Sequence, residues 1–395
     1  MKRTAIIVGG GIAGPLAAIG LKQAGVDVTL YEAYAQSAGL AAGAWLTVAV
    51  NGLAAMRSLG VHDAVKQQGF PSESIEFASG TGKLLGELPI GGRLADGTVT
   101  HTIKRSDLYR IMAEAAQREG IPMQYGKRLV EAQQVSDGIV AHFADGSEAH
   151  ADVLIGADGV HSRTRHLIDA AAPVPRYTGL QNVGGFAPAG SCRLRPRSYR
   201  MIFGKRCFFG YTVAPSGEVW WFANPPSARE LTRDELAEID WRAHLLELFA
   251  LDRGPMLELI RSTPGKLQGT NQYELSNVPA WQRGRMLILG DAAHAASPSS
   301  GQGASMAAED ALALALCMRA HADSPAALTA FVQARRARAE QVVAHGQRHS
   351  NMKTLGPVGR VLRDLMLPLM FRMQSRTSGS DSLAWLYDHR PDVTL

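Results

Sequence analysis

The chain has 395 residues, with 41 Lys+Arg against 36 Asp+Glu for a formal charge of +5, and 46% of its residues are apolar while 19% are charged. That length exceeds what one hydrophobic core usually serves and suggests about two domains of roughly 100–200 residues. The composition excludes a disordered or collagen-like chain, and so small and dispersed a charge excess gives no case for a nucleic-acid partner.

In chain order, the first thirty residues read as one β-α-β unit. Thr4-Ala-Ile-Ile-Val8 is the apolar run of a strand buried on both faces, Gly9-Gly-Gly-Ile-Ala-Gly14 follows, a helix is predicted from Pro15 to Ala24, and a second strand runs from Asp27 to Tyr31. The chain is then irregular and later helical to about residue 70. Alternation predicts strands at Ser74–Ala78 and Gly97–Ile103, then a helix at Ser106–Glu119, strands near Leu129–Ala132 and Ile139–Phe143, and a buried strand at Asp152–Ile155.

Residues 175–275 change character. Aromatics cluster in 201–203, 207–213 and 218–222 between Gly and Pro turns, as in an antiparallel sheet, with helices expected over 231–260. Arg285–Leu289 returns to the buried-strand pattern. A long helix is predicted from Gln302, and Ser324-Pro325 reads as an N-cap and first-turn pair opening another that runs to about His345. The apolar stretch 361–371 reads by default as packing against the body; a membrane surface or a large apolar substrate is the alternative.

Three cysteines, Cys192, Cys207 and Cys317, form no CxxC pair. That argues against a metal site or a disulfide framework and fits a reducing compartment. No apolar run reaches the roughly 20 residues that span a bilayer. The segment at residues 4–8 runs into glycines rather than a cleavage site, so the expected location is the cytoplasm.

Three motifs carry chemistry. In Gly9-x-Gly11-x-x-Gly14 the first glycine permits the tight turn, the second lets the backbone approach a pyrophosphate, and the third allows close helix–strand packing. Glu32, at the end of the next strand, is placed to accept hydrogen bonds from a ribose and disfavours a 2′-phosphate. Asp158 in Gly156-Ala-Asp158-Gly159-Val-His-Ser162-x-x-Arg165, and Asp291 in Gly290-Asp291-Ala-Ala-His294-x-x-x-Pro298-x-x-Gly301-Gln-Gly303, each follow a predicted parallel strand, where open α/β sheets bind ligands. Taken singly, either acid could be a helix cap or turn former; with the first motif, the trio is far more specific. The Gly301-Gln-Gly303 turn precedes a helix whose N-terminus, carrying about +0.5 of an elementary charge, suits a negatively charged ligand edge, with Pro298 stiffening the loop. Glu309 and Asp310 read as a solvated helix face, and His294 and His161 as braces of their loops. Trp220 and Trp221 must point to opposite faces of their strand. Tyr211 and Trp220 are the candidates for lining a substrate cavity, with packing as the plainer alternative.

Together these motifs resemble the single-component FAD-dependent aromatic hydroxylases, the superfamily that includes p-hydroxybenzoate and salicylate hydroxylases, over residues 3 to about 350. The resemblance implies an α/β fold: a Rossmann-like FAD/NAD(P)-binding domain (GR2-type) made of 1–73, 101–174 and 276–350, an inserted mainly antiparallel β substrate domain made of 74–100 and 175–275, and a C-terminal helical segment, 351–395. It implies that Gly9, Gly11, Gly14 and Glu32 hold the ADP half of FAD. Arg105, in Arg105-Ser-Asp-Leu108, would lie near the phosphate and ribityl region, and Leu129 beside adenine. Asp158 would serve both FAD and NAD(P)H, Asp291 would bind the ribityl hydroxyls, and Pro298, Gly301 and Gly303 would border the flavin. Many members carry Asn where this chain has Ser305, which weakens a side-chain contact to the ring there.

The implied activity is a monooxygenase. NAD(P)H reduces FAD transiently, O₂ gives a C4a-hydroperoxyflavin, and an apolar, aromatic or polyketide-like small molecule is hydroxylated or epoxidised, with no protein nucleophile needed. No second GxGxxG appears, as expected of a reductant that docks briefly. The alternative is an FAD-dependent dehydrogenase or reductase that does not use O₂. A flavin halogenase is disfavoured, because Trp220-Trp-Phe-Ala-Asn-Pro225 does not match Trp-x-Trp-x-Ile-Pro. A non-catalytic binding protein for prenylated partners would be expected to lose the acid at 291, which is present.

Overall fold

The computed structural model describes residues 2–37, 44–297, 300–350, 353, 356–376 and 383–389. Six strands form one sheet in the order Gln282–Arg283, Met286–Ile288, Val153–Gly156, Thr4–Val8, Asp27–Glu32, Met123–Tyr125. All neighbours pair in parallel except the edge strand Gln282–Arg283. Ile6, Ile7, Leu154 and Ile155 are buried because helices Ala13–Gln23, Arg105–Arg118 and Gly303–Ala320 and a three-stranded sheet over 129–151 close the same core. Phe143 of that smaller sheet stacks on Tyr31 at 4.6 Å between ring centroids.

Seven strands form the second large sheet, in the order Gly269–Glu274, Arg176–Ala187, Val219–Asn224, Phe208–Val213, Ser198–Phe203, Ser74–Ser79, Leu84–Pro89. Its pairs are antiparallel apart from Ser198–Phe203 with Ser74–Ser79. Alternation along the strands sorts its aromatics. Phe209, Tyr211 and Trp221 join Trp241, Phe249 and Leu259 of the helices on one face. Phe203, Phe208, Trp220 and Phe222 lie on the other.

That second face meets the small sheet of Trp45–Val48, His101–Lys104 and Phe70–Pro71. Trp45 lies 5.5 Å from Phe222 and 5.1 Å from Tyr199, and Phe70 lies 5.1 Å from Trp220. The Tyr199 hydroxyl shares hydrogen bonds with Thr47 and Thr102. The other end of the face is covered by helix Pro357–Arg376, whose Phe371 stacks on Phe77 at 5.3 Å and whose Leu367 is buried beside Phe203. The opposite side of this helix exposes Leu362, Leu365, Met366, Leu369 and Met370. Packing is thus right for half of the 361–371 stretch. Among the described residues no helix is long and apolar enough to cross a membrane.

The chain adopts the expected mixed α/β architecture, with local differences. The strand expected over 97–103 is only His101–Lys104, because Gly97 closes a turn back to Leu94. Trp45–Val48 is a strand inside a stretch read as irregular; it has four residues and owes its pairing to a distant segment. The helix expected to open on Ser324 as cap is capped by Asp323, whose carboxylate accepts from Ala326 N at 2.9 Å, and it continues to Ser350.

Candidate active site

The first strand ends at a turn that only glycine can form. Gly9 has φ +113°, and a Cβ there would lie 2.3 Å from the Ala157 carbonyl oxygen. Gly14 is packed still tighter, 1.8 Å from the Gly9 oxygen for the same added atom. Gly11 differs: a Cβ there meets nothing nearer than the Tyr109 hydroxyl at 3.9 Å, so this backbone borders open space. Helix Ala13–Gln23 has no side-chain cap, which leaves first-turn amides free to face that space. Glu32 stands beside it. Its carboxylate accepts from Gly10 N at 2.5 Å and Tyr34 N at 2.9 Å, so the acid is oriented by backbone amides. Lys127 N donates to the Glu32 carbonyl at 2.8 Å, which brings buried Leu129 to the same end of the sheet.

Gly290 has φ +59°, and its Cα sits against Ala13, the first residue of the helix after the glycine turn. Asp291 is therefore delivered beside Gly9–Gly14. Its carboxyl is solvent-accessible, yet burial pushes its pKa up against the pull of His294 and Arg105. Arg105 is likewise accessible yet crowded, and it is held more basic than usual first by Tyr109 and, at longer reach, by Asp291. Groups that are at once reachable by water and surrounded by protein line a cleft. Arg105 Nε donates to the Tyr109 hydroxyl at 3.0 Å, which closes the ring back to Gly11. Tyr109 escaped the sequence reading, although its position four residues after Arg105 puts both on one helix face.

Helix Gly303–Ala320 supplies a second uncapped N-terminus. Gly301 (φ +62°) and Gly303 both face open space. Ser305 is absorbed by packing: its hydroxyl accepts from Ala49 N at 3.0 Å, and a Cβ on Gly52 would come within 2.5 Å of its Cα. Pro298 lies outside the described residues.

Glu309 and Asp310 are not a solvated face. Both are fully buried. Glu309 pairs with Arg335 at 2.8 Å and Arg338 at 2.7 Å and accepts from Asn51 at 2.7 Å. Asp310 accepts from Gly290 N at 2.9 Å, pairs with Arg335 at 2.8 Å and meets His294 Nε2 at 2.6 Å. The helical pattern concealed this because the two arginines lie on the following helix. Burial opposes the charge on Asp310, but His294 and Arg335 hold its pKa far below the usual carboxylate range. His294, buried under Trp281, is thus a brace of the Asp291 loop, as expected.

Asp158 is a cap. One carboxylate oxygen accepts from the Ser162 hydroxyl at 2.5 Å, the other from Thr164 N at 2.9 Å and Thr164 Oγ1 at 3.0 Å. Arg165, buried, donates to the carbonyls of Val160 and Ala292 at 2.9 and 3.0 Å, tying the Asp158 loop to the Asp291 loop.

The two substrate-lining candidates need correction. Tyr211 is buried on the helix-covered face with Phe209 and Trp221, because strand parity turns it away from the cleft; burial raises its phenol pKa. Trp220 is on the cleft-side face but is spent on packing against Phe70 and Phe186, with Nε1 donating to Glu218 at 2.7 Å. On the cleft-side face, Trp45 follows Ala44, whose carbonyl accepts the Arg105 amide at 3.1 Å, and Phe222 lies 5.5 Å from Trp45.

Residues 2–346 match the family model of the FAD binding domain. The chain belongs to this family of FAD-dependent monooxygenases. It is 30% identical to an aurachin C monooxygenase/isomerase of Stigmatella aurantiaca, over 87% of this chain and 88% of the relative. It is also 30% identical to an FAD-dependent urate hydroxylase of Klebsiella pneumoniae, over 88% and 90% of the two chains. The crystal structure of Klebsiella pneumoniae HpxO complexed with FAD and uric acid superposes with a TM-score of 0.85, at 26% identity and covering 97% of each chain. The cleft fits FAD on its own geometry. Open space lies before Gly11, Gly301 and Gly303, two uncapped helix N-termini suit a pyrophosphate and an electron-rich ring edge, and an accessible acid stands at position 291.

Proposed function

We propose that this monooxygenase uses NAD(P)H to hydroxylate a planar, largely apolar aromatic molecule held between the cofactor cleft and the seven-stranded sheet. The observation that carries the reading is the aromatic wall beside the cleft. Phe222 touches Trp45, and Ala44, next to it, accepts the Arg105 backbone amide at 3.1 Å. The wall therefore begins where the cleft ends. Aurachin C and urate, named for two relatives, both contain flat fused rings, which suits such a wall.

We assign cofactor binding to 1–73, 101–174 and 276–350 and substrate binding to 74–100 and 175–275, because strands Ser74–Ser79 and Leu84–Pro89 share a sheet with Arg176–Glu274. Within the first unit, amides after Gly9 and Gly11 would receive the pyrophosphate and Glu32 the ribose. Asp291 would accept from ribityl hydroxyls, Arg105 would neutralise phosphate, and the Gly301–Gly303 turn would present helix amides to the pyrimidine edge. Asp158 would act through the loop that it shapes, since its carboxylate oxygens are occupied. When bound and reduced, FAD supplies the two electrons that split O₂ between product and water. The protein's part is to position the ring, orient the substrate and exclude water. The nicotinamide would dock briefly at this unit, and the reading includes a cytoplasmic location, where the three free cysteines would stay reduced.

The test is turnover under ¹⁸O₂ with aromatic candidates chosen by their stimulation of NADH and NADPH oxidation. Label in the product, with NAD(P)H, O₂ and substrate consumed in near-equal amounts, supports the reading. Unlabelled product, or full activity without oxygen, sinks it.

A further inference from the structure

Lys353 lies on the Phe208–Phe222 wall, and among the described residues no acid answers it. Its ammonium stands 4.4 Å from the Phe208 ring centroid and 5.8 Å from that of Phe222. It donates to Asn224 Oδ1 at 2.9 Å. Asn224 is held in that orientation, since its Nδ2 donates to the Gln181 carbonyl at 3.3 Å and to Asn182 Oδ1 at 3.2 Å. Among the described residues no carboxylate lies within 4.0 Å of Nζ, and the titratable group that acts on it is the Cys207 thiol, which burial keeps protonated. Two further cations on this face are answered by acids: Lys104, over Phe186 and Trp220, pairs with Glu218 at 2.7 Å, and Arg363, over Phe203, pairs with Asp364 at 2.8 Å.

The position adjoins the cleft. Helix Ser324–Ser350 ends against the segment before the glycine turn, where a Cβ on Gly346 would lie 3.0 Å from Ser300 Cβ. Lys353, three residues after this helix, stands on the wall, and Phe222 reaches Trp45 from there. Burial alone pushes the Lys353 ammonium down to about 7. A desolvated cation in an aromatic setting gains something from the ring faces, but far less than from an anion, and an aliphatic residue would fill the same space without the desolvation cost.

We propose that Lys353 selects the substrate, pairing with an anionic oxygen of an acidic aromatic compound that lies on the Phe208–Phe222 wall. The proposal rests on the reading of that wall as the substrate side. The aromatic face sets planarity, and Asn224 holds the ammonium over the rings. A carboxylate or acidic enol then completes a charge-assisted pair that neither water nor a protein acid supplies. Neutral aromatics of the same shape would stack on the wall but leave the cation unanswered.

The experiment uses the full-length FAD-loaded protein and two matched pairs of probes: salicylate with 2-hydroxybenzamide, and 4-hydroxyquinoline-2-carboxylate with 4-hydroxyquinoline. Binding is read from perturbation of the flavin spectrum. For at least one pair the acid should bind about tenfold or more tighter than its neutral partner, as for a desolvated charge pair. Lys353→Met and Lys353→Gln should level that preference, and Lys353→Arg should keep most of it. FAD content and thermal midpoint report folding of each variant. Equal binding of acid and neutral partner by the wild-type protein, or a preference that survives Lys353→Met, overturns the proposal while leaving the wall as the substrate side. If no probe perturbs the flavin at millimolar concentration, both the wall reading and the proposal fail.

Discussion

Asp291 and Asp310 serve one loop in opposite ways. Asp310 is fully buried and answered by Arg335, His294 and an amide, so its charge is structural. Asp291 is accessible in a crowded cleft, where burial raises its pKa and Arg105 and His294 only partly compensate. Asp291→Ala should therefore lower FAD affinity, by about 1.5–3 kcal/mol or roughly 10- to 150-fold in Kd, the worth of a hydrogen bond to a charged group. The thermal midpoint of the apoprotein should scarcely move; a large fall there would mark Asp291 as structural. Glu309→Gln should do the reverse, costing about 3–5 kcal/mol in urea unfolding because Arg338 loses its buried counter-ion and Arg335 keeps only Asp310. A solvated helix face would register less than about 0.5 kcal/mol.

The His294–Asp310 contact also sets a pH window. Burial opposes the charge on His294, yet Asp310 raises its pKa above the ordinary 6.5. A raised pKa means stabilisation that is whole below the unfolded value and lost as pH climbs through the native one. Asp310 is depressed from 3.8, so its contribution is present above that value and lost as pH falls through the native one. Thermal midpoints measured across pH should fall on the alkaline side of neutrality, and His294→Gln should flatten that limb. An unchanged limb would show that the contact does not govern it.

At the scale of elements, the glycine spacing is legible because the chemistry is local. Gly9, Gly11 and Gly14 follow a buried strand and open a helix, and nothing beyond twenty residues is needed to read them. The motif also tells the three glycines' tasks apart; the neighbours that enforce them, Ala157 and Tyr109, arrive from elsewhere and are not legible. Gly14→Ala should destabilise the fold, as its new methyl lands on the Gly9 carbonyl. Gly11→Ala should keep the apoprotein's thermal midpoint and lose FAD, because its methyl points into the space where a pyrophosphate would approach. Equal losses of stability in both variants would refute this division. Tyr211 shows the opposite limit. Its strand was legible but its face was not, for parity relative to the cleft is decided by which side helices Trp241–Leu248 and Met256–Ser262 cover. The ion network of residues 309, 310, 335 and 338 escaped for a similar reason: one helix's pattern cannot reveal arginines on the next.

At the scale of the molecule, the cofactor cleft belongs to one sheet and the aromatic wall to another, so water is excluded only where the two are closed against each other. Trp45 and Phe70 close one end of the wall, and helix Pro357–Arg376 closes the other through Leu367 and Phe371. This second closure involves none of the residues proposed to hold FAD. Leu367→Ala with Phe371→Ala should therefore leave FAD content near normal. It should raise the share of NAD(P)H electrons that end as hydrogen peroxide, because water admitted to the site lets activated oxygen escape before transfer. The peroxide formed per NAD(P)H consumed, measured with a substrate that couples well in the wild-type protein, reads this directly. Loss of FAD from the double variant would show that the helix supports the cofactor unit itself. Unchanged coupling at full occupancy would show that the far end of the wall lies beyond the reacting volume.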